Sequence, residues 1–394
     1  MLTPRARPAT GAGPTPRADA STLTLLLAGD VMTGRGIDQL LAHPGEPTLH
    51  EALVRDAREY LRGVEQRHGA LPRAVDDTYI WGDALEVIER AGVDWRIANL
   101  ETAVTTGAQP WPGKGAHYRM NPANVGCLQA ARLDCCVLAN NHVLDWGRPG
   151  LAETLEVLHA AGIQTAGAGE DGQGAWAPAA LPLGEGRRLL VFSCATASSG
   201  VPPGWAAGPR VSGVARLPDL SESTARDIAA DAARHRRGDG IVVMSIHWGA
   251  NWGESVPAEH RRFARRLIDL GAADIVHGHS SHHPLPIEVY RGKLILYGCG
   301  DLINDYASLP SPGSLRSDVA CLYFATLDRA RGLLRRLQIV PMQLFRMRLV
   351  HADRAARGWV HALINQGGLD LGTELMPDGS GGWQLQWSRA PVPV

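Results

Sequence analysis

The stretch ADIVHGHSSHH, residues 273–283, decides the fold because it joins a short apolar run to a cluster of histidines. Four of the chain's 15 histidines fall within the seven positions 277–283. A short run of branched apolar residues next to glycine is typical of a buried strand. The histidines at its end indicate either a metal or proton-transfer site or a loop that is rich in histidine by chance.

Other apolar runs share this design, because each ends in side chains that are capable of chemistry. They are LTLLLAGD (23–30), DWRIANLE (94–101), LDCCVLANNH (133–142), GIVVMSIHWG (240–249) and KLILYGCGD (293–301). Helical patterns lie between them, at 83–92, 121–133, 150–162, 223–238 and 257–271. The alternation predicts an α/β fold with a largely open sheet. Since ligands bind beyond the carboxyl ends of such strands, we expect the polar strand ends to converge.

The composition favours a globular protein that does not bind nucleic acid. Of the 394 residues, 45% are hydrophobic, and the formal net charge is −1. This length suits one large or two modest domains. Binding to a phosphate backbone needs clustered Lys and Arg, which the chain lacks, so no nucleic-acid partner is expected. The six cysteines form no CxxC pair and are interpreted as small buried residues in a reducing compartment.

The two ends of the chain differ from its middle. Residues 1–20 have no apolar segment of the kind found in signal peptides, and we expect a disordered leader. The run 23–29 is too short to span a bilayer, so we expect no stable membrane anchor and a cytoplasmic location. Residues 21–345 are expected to form the main domain, and 346–394 a C-terminal appendage with a helix and a strand.

Seven residues at the strand ends form a mixed set of oxygen and nitrogen donors. They are Asp30, Glu101, Asn141, His142, His247, His279 and His282. Divalent transition metals such as Mn, Zn or Fe take such ligands, and a carboxylate can bridge two ions. Asparagine is a weak neutral ligand that is rare in structural zinc sites. The set therefore predicts a catalytic centre with one or two divalent ions.

These strand ends and their flanking residues resemble the CapA-like (poly-γ-glutamate capsule biosynthesis) family of the metallo-dependent phosphatase, or calcineurin-like, superfamily. The matching stretches are GDVMTGRGID, ANLETAVT, YRMNPANVGCLQAARLDCCVLANNHVLDWG, SIHWGANW and GHSSHHPLPIEVYRGKLILYGCGD. They cover roughly residues 23 to 325. The resemblance implies a metallophosphatase-like four-layer αββα sandwich, a metal site at the strand ends, and a peptide or poly-γ-glutamate substrate.

The resemblance also implies roles for single residues. Asp30 matches the Asp of the first motif, Glu101 takes the place of the bridging Asp, and the Asn-His motif falls on 141–142. His247 matches the lone downstream His, and the closing Gly-His motif supplies 279 and 282. The sequence departs from the pattern at Met32, where the phosphatases have the His of Asp-x-His, and at 281, where Ser replaces a Pro.

Several functions remain open on this basis. The first is a metal-dependent hydrolase-type enzyme in which His282 or His142 transfers a proton. The second is a phosphoesterase, which the Met at position 32 disfavours. The third is an isomerase, because CapA-like proteins are similar to a peptide epimerase of lasso-peptide biosynthesis. Its acid/base pair would be Asp30 or Glu101 on one face and His282 or His283 on the other. The fourth is a non-catalytic scaffold.

The residues around the donor set have two interpretations each. Arg35, Trp248 and Asn251 are expected to contact the substrate, although an arginine between glycines also suits a turn and most tryptophans are packing residues. His277 and His283 either support the ligands or are polar loop residues. Asp145 either orients His142 or caps the helix at 150, and Asp301 either supports the site or forms a turn.

Overall fold

The computed structural model describes residues 21–236, 240–253, 255–309 and 312–388. Helices and strands alternate along most of these residues, at the places where apolar runs and helical patterns alternate in the sequence. The mixed α/β class is therefore confirmed. The predicted leader, residues 1–20, lies outside the described residues.

The elements of the described residues are numbered in chain order. The strands are β1 (Thr22–Val31), β2 (Trp95–Leu100), β3 (Ala103–Val104), β4 (Arg119–Met120), β5 (Cys135–Val137), β6 (Gln164–Ala166), β7 (Ala168–Gly169), β8 (Ala179–Gly184), β9 (Arg187–Ala195), β10 (Gly213–Val214), β11 (Ile241–His247), β12 (Ile275–His279), β13 (Ile287–Tyr290), β14 (Lys293–Leu296), β15 (Asp301–Ile303), β16 (Val319–Asp328), β17 (Leu334–Phe345), β18 (Arg348–His351), β19 (Thr373–Pro377) and β20 (Trp383–Trp387). The α-helices are α1 (Arg58–His68), α2 (Ala84–Ala91), α3 (Gly126–Ala130), α4 (Gly147–Ala160), α5 (Gly172–Trp176), α6 (Glu222–His235), α7 (Ala258–Asp269) and α8 (Arg354–Gly368).

The larger sheet has the strand order β19-β20-β17-β16-β1-β2-β5-β6, with β15 beside β1 and β18 beside β17. Strands β1, β2, β5 and β6 are mutually parallel, so their carboxyl ends lie at one edge of the sheet. Parallel neighbours need crossover connections. Helices α1 and α2 provide the first of these, α3 the second and α4 the third.

The smaller sheet has the strand order β13-β14-β12-β11-β9-β8. Strands β9, β11, β12 and β14 are parallel. Helix α6 connects β9 to β11, and α7 connects β11 to β12. This sheet therefore also presents a row of carboxyl strand ends.

The apolar residues of β1 show how the layers pack. Leu23, Leu25 and Leu27 belong to a buried cluster that contains residues of both sheets, so the sheets pack face to face. Leu26 and Ala28 point to the other face, where α1 to α4 cover the larger sheet. Helices α6 and α7 cover the outer face of the smaller sheet. Because both faces of the strands are buried, the strands are continuous apolar runs in the sequence.

The C-terminal segment extends the larger sheet. The helix and the strand predicted in residues 346–394 are present as α8 and β20. Strands β18 and β20 both pair with β17, and β19 pairs with β20. Helix α8 places Ala356, Val360 and Ile364 in the cluster between the sheets. The segment thus forms one edge of the sheet and part of the central core.

The cysteines are buried and free, as their places in apolar runs predicted. Burial raises the pKa of each thiol, so the thiols behave as small apolar groups. Among the helices of the described residues, none is long and apolar enough to cross a membrane.

Candidate metal and proton-transfer site

The carboxyl ends of the parallel strands bring the predicted donors to one place between the sheets. In the larger sheet, Asp30 lies near the end of β1 and Glu101 directly follows β2. The turn after β5 carries Asn141 and His142. In the smaller sheet, β11 ends at His247, and β12 ends beside it at residue 279. Convergence at strand ends, expected from the sequence, is therefore confirmed.

Two carboxylates, Asp30 and Glu101, lie buried together at the centre of the site. Asn99 joins them, because its Nδ2 donates to Asp30 Oδ1 at 2.8 Å and to Glu101 Oε2 at 3.3 Å. Burial and the nearby Asp301 raise the pKa of Asp30 to about 7. Burial and Asp30 likewise raise the pKa of Glu101. Two carboxyl groups in this setting favour either a shared proton or a cation between them.

His142 is held by a buried carboxylate. Its Nδ1 lies 2.6 Å from Asp145 Oδ2, and its Nε2 lies 3.8 Å from Glu101 Oε1. Burial lowers the pKa of His142 to about 4, against the opposing effect of Asp145. Burial acts to raise the pKa of Asp145, but His142 and Lys114 together lower it. The carboxylate therefore stays ionised and fixes the imidazole with Nε2 towards the site.

Lys114 is one of only two lysines in the chain and reaches the site from the loop before β4. Its Nζ lies 2.6 Å from Asp145 Oδ1 and also donates to the backbone oxygen of Asn141. The ammonium lies 4.7 Å from the ring centre of Trp205. This lysine thus ties the loop to the turn that carries Asn141 and His142.

His247 and His279 contact each other in the smaller sheet. Their Nδ1 atoms are 2.7 Å apart, and His247 Nε2 lies 3.1 Å from Asn141 Oδ1 and 3.9 Å from Glu101 Oε1. His279 Nδ1 also lies 4.0 Å from Asp30 Oδ1. Burial is the main cause that lowers the pKa of both histidines, so both rings are neutral.

His282 belongs to a second hydrogen-bonded group. Its Nδ1 lies 2.8 Å from Asp301 Oδ1 and 2.8 Å from the hydroxyl of Tyr306. Asn304 donates to the other oxygen of Asp301 at 3.0 Å. Burial acts to lower the pKa of His282, but Asp301 outweighs it and the pKa is raised. His282 therefore takes a proton more readily than His142 does.

The donor chemistry of this site fits a divalent transition ion. Single donor atoms of Asp30, His247 and His279 lie within 4.8 Å of one another, and so do those of Asp30, His282 and Asp301. Carboxylate and imidazole donors of this kind suit Mn, Fe or Zn. The two groups share Asp30, which is the arrangement that a bridging carboxylate needs.

Two of the residues expected to bind substrate, Arg35 and Trp248, are buried and make structural contacts instead. Arg35 is buried, contacts Asp305 with two of its nitrogens, and donates from Nη1 to Glu51 at 2.7 Å. Its charge lowers the pKa of His142 and His282, but each of its three guanidinium nitrogens already donates to a carboxylate. The indole of Trp248 is buried, donates to the Tyr297 carbonyl at 2.9 Å and packs in the cluster under α7.

The loop after β11 lies beside His282. Asn251 is exposed, and its backbone oxygen accepts from the His282 amide at 2.9 Å. His283 is buried and bonded at both ring nitrogens, to the Pro284 carbonyl at 3.0 Å and to the Gly253 amide at 3.3 Å. The ring of Trp252 lies 5.2 Å from that of His282. His283 thus holds the loop, while Trp252 places an aromatic ring beside His282.

Some residues of the site have only weak signals in the sequence. Asn99 sits two residues before Glu101 in a strand, so the period of two places both on the same face. Asp301 follows an apolar run, and β15 pairs in register with β1 so that residues 30 and 301 are neighbours. Lys114 is notable only for the rarity of lysine, and nothing near Tyr306 in the sequence marks it.

Comparison with known proteins gives one family. Residues 24–306 match the family described as "Bacterial capsule synthesis protein PGA_cap". A probable polyglutamine synthesis accessory protein of Mycobacterium tuberculosis is 45% identical over 345 residues, which is 87% of this chain and 90% of that protein. The PGA biosynthesis protein CapA of Bacillus subtilis is 30% identical over 56% of each chain. The capsule biosynthesis protein CapA of Bacillus anthracis is 21% identical over 84% of this chain and 70% of its own length.

Proposed function

The chain belongs to the bacterial capsule synthesis, or CapA-like, family, and we propose from this premise that it is an enzyme. Its substrate would be a peptide or poly-γ-glutamate chain, and one or two divalent transition ions would assist the reaction. We also propose that its layers form the four-layer αββα sandwich of metallophosphatase-like proteins. The three apolar clusters support this, since one joins the two sheets and the others join each sheet to helices.

The proposal rests on one observation: buried metal-ligand side chains meet at one place, and too few cationic side chains lie there to balance the carboxylates. Asp30 and Glu101 are buried side by side, and the amide oxygen of Asn141 lies 3.1 Å from Nε2 of His247. Lys114 is the nearby ammonium, and it is engaged with Asp145. Buried like charges are costly unless a cation joins them. An ion held by Asp30, Glu101, Asn141 and His247 would supply that cation, with His142, His279 and His282, the other donors expected from the sequence, around it.

The residues of the site then divide the chemical work. A divalent ion held there would polarise an amide carbonyl or a phosphoryl oxygen. His282, backed by Asp301, is placed to hold a proton and give it to a leaving amine. His142, backed by Asp145, stays neutral and is placed to accept a proton from water. The burial of both carboxylates excludes bulk water from the hydrogen bonds that orient the imidazoles.

The substrate class rests on the relatives and on the charge at the mouth of the site. The printed names of the relatives refer to polyglutamine, PGA and capsule synthesis. The Lys114 side chain is 16% exposed, so part of this cation borders solvent although its ammonium is paired with Asp145. We therefore propose a peptide or polyglutamate partner, no nucleic-acid partner, and a cytoplasmic location.

Metal content tests the proposal. The purified protein, incubated with Mn²⁺, Zn²⁺ or Fe²⁺ and desalted, is expected to retain one or two ions per chain by elemental mass spectrometry. His247→Ala should lower this number. His159→Ala is the matched control, because His159 is an exposed residue of α4 whose ring contacts the Thr165 hydroxyl at 2.9 Å, away from the donor set. Ion binding that is absent in the wild type, or equal in His247→Ala, would contradict the proposal.

A substrate assay completes the test. Short γ-linked glutamyl peptides, α-linked peptides and a phosphodiester are incubated with the loaded protein and analysed by liquid chromatography and mass spectrometry. We expect turnover of the γ-linked peptides that is lost in His247→Ala. Turnover of the phosphodiester alone would identify a phosphoesterase instead.

The paired histidines support a second candidate, a peptide epimerase. His142 and His282 are each held at Nδ1 by a buried carboxylate. In the described part of the chain, Nε2 of His282 has no hydrogen-bond partner, and Nε2 of His142 faces Glu101 at 3.8 Å. Inversion at a Cα needs one group that removes the proton and another that returns it on the opposite face. We propose that these two imidazoles form such a pair, in a reaction that needs no ion.

Solvent exchange distinguishes the two candidates. An epimerase working in D₂O incorporates one deuterium at the inverted Cα, which raises the mass of the peptide by one unit and changes its retention on a chiral column. A hydrolase cleaves the chain and leaves the Cα protons in place. Deuterium incorporation that survives removal of metal by a chelator would favour the epimerase and exclude the metal-assisted reaction.

A further inference from the structure

A buried chain of hydrogen bonds runs from the backbone of β1 to the site. It starts at the carbonyl oxygen of Ala28, which lies 3.0 Å from Nε2 of His277. His277 Nδ1 lies 3.1 Å from the hydroxyl of Ser245, and this hydroxyl lies 2.8 Å from Nε2 of His279. His279 Nδ1 then lies 2.7 Å from Nδ1 of His247. Three imidazoles and one hydroxyl thus connect the two sheets to the donor set.

The register of two strands creates this chain. Strands β11 and β12 are parallel, with Ser245 opposite His277 and His247 opposite His279. Since alternate residues of a strand share a face, all four side chains project from the same side of the smaller sheet. All four are buried, so water does not compete for their hydrogen bonds.

The carbonyl at the start of the chain decides where each proton lies. A carbonyl oxygen only accepts, so His277 must carry its proton on Nε2. The bare Nδ1 of a neutral His277 then accepts the single proton of Ser245. The hydroxyl oxygen in turn accepts the Nε2 proton of His279. The bare Nδ1 of His279 accepts the Nδ1 proton of His247, which leaves a lone pair on Nε2 of His247. The Asn141 side-chain oxygen, 3.1 Å away, is also an acceptor, so this polarity needs either a cation between the two atoms or an Asn141 amide turned to donate from Nδ2. The Ala28 carbonyl belongs to the backbone and cannot turn in this way, so its end of the chain sets the polarity.

We propose that Ser245 and His277 are positioning residues that fix the tautomers of His279 and His247, so that His247 presents a bare Nε2 to Asn141 and Glu101. His279 then acts through His247, because both of its ring nitrogens are engaged within the chain. The tautomers follow from the fixed Ala28 carbonyl together with neutral rings. Their consequence for ion binding rests on the proposed function.

The chain offers a matched control for Ser245. Ser193 lies on the neighbouring strand β9, directly opposite Ser245 in the parallel register, and is buried as well. Its hydroxyl has no hydrogen-bond partner within the described residues. Replacement of either serine by alanine removes one buried oxygen from adjacent positions of the same sheet. Only the change at 245 interrupts the hydrogen-bonded chain.

The first experiment reads the tautomers directly in the metal-free protein. Histidine labelled with ¹⁵N in both ring nitrogens gives separate signals for protonated and bare nitrogens, assigned by single His→Gln variants. We expect His277 and His279 to be protonated at Nε2 and His247 at Nδ1. In Ser245→Ala the patterns of His279 and His247 should become mixtures, whereas Ser193→Ala and Ser245→Thr should retain them. Protonation of His247 at Nε2 in the wild type would overturn the proposal.

The second experiment measures ion binding. Loss of a residue that orients a metal ligand typically lowers affinity 10–100-fold. We expect the dissociation constant for Zn²⁺ to rise by about 10-fold or more in Ser245→Ala, to change less than about twofold in Ser193→Ala, and to recover in Ser245→Thr. Equal constants for the two alanine variants would contradict the positioning role. If the wild type binds no ion, the proposed metal function is wrong. The positioning role of Ser245 and His277 is then tested by the tautomers of the first experiment.

Discussion

At the scale of single residues, the histidines of the site differ in what holds them. His142 and His282 are hydrogen-bonded to carboxylates, whereas His247 is hydrogen-bonded to another imidazole. A carboxylate partner stabilises a protonated ring, and an imidazole partner does not. This difference separates the groups suited to proton transfer from the group suited to hold an ion.

The carboxylate behind His142 provides one prediction. Asp145→Asn removes the charge that orients the imidazole and leaves Lys114 without its ion-pair partner. We expect the variant to retain the fold and to lose about 10–100-fold in its turnover of the peptide substrate or in its affinity for the metal ion. Asp171→Asn is the control, since Asp171 caps α5 through Oδ1 and asparagine caps a helix equally well. Equal kinetic and binding constants for the two variants would rule out the orienting role.

A histidine outside the site predicts how stability depends on pH. His260 stacks on Trp248 with ring centres 4.5 Å apart, its Nδ1 has no partner within the described residues, and burial lowers its pKa to about 4. In the unfolded chain it titrates at its ordinary value of about 6.5, so the unfolded state binds more protons between pH 6.5 and 4. The contribution of the neutral, buried His260 to the free energy of unfolding is therefore fully present above pH 6.5 and is lost as the pH falls towards 4.

His260→Phe keeps the stacked ring and removes the titration. From the linkage relation, the wild type should lose about 2 kcal/mol more than the variant between pH 7 and pH 5. Denaturant unfolding at both pH values measures this difference, and the comparison within each protein cancels any change in packing. Equal losses in the two proteins would show that His260 is protonated in the fold.

The sequence could predict the donors and offered Asp145 and Asp301 as supporting groups, but it could not predict the supporting contacts made by Lys114 and Tyr306. Asp30, Glu101 and His247 end apolar runs, and parallel strands force such ends together. Lys114 and Tyr306 lie in loops, so their contacts depend on how these loops close over the sheet edge. The ion pairs that occupy Arg35 depend on Glu51 and Asp305 in the same way. Local patterns carry no information on such contacts.

At the scale of elements, a close approach of two backbones sets the distance between Asp30 and Asp301. Strands β1 and β15 pair in parallel, and a Cβ on Gly29 would lie 1.8 Å from the carbonyl oxygen of Gly300. No real Cβ tolerates this contact with a backbone atom. Gly29 is therefore required by space, and its lack of a side chain lets the two acidic residues lie side by side.

Two glycine substitutions should consequently act in opposite directions. Gly29→Ala must push β15 away from β1, and we expect a loss of several kcal/mol of stability, by analogy with overpacked cores, together with loss of ion binding. Gly63→Ala lies in α1 with open space around the new methyl group. It should stabilise the protein by about 0.5–1 kcal/mol. Melting temperatures that change in the same direction would contradict the close approach.

At the scale of the whole molecule, the C-terminal segment shows that the sequence predicts elements more readily than their packing. Its helix and strand could be predicted from their patterns, but the patterns do not say where these elements pack. Packing is decided by the buried side chains of α8, which complete the cluster between the sheets. The family match ends at residue 306, well before these elements begin. The physical core thus extends beyond the matched region.

This placement predicts that a substitution in α8 is as damaging as one in the central strands. Ile364 is 1% exposed in the cluster between the sheets, whereas Leu369 just beyond the helix is 69% exposed. Ile364→Ala should cost about 2–5 kcal/mol, because it removes buried methyl groups and leaves a cavity. Leu369→Ala should change the stability by less than about 0.5 kcal/mol. Denaturant unfolding measures both, and a small effect of Ile364→Ala would mean that the C-terminal segment packs as a separate appendage after all.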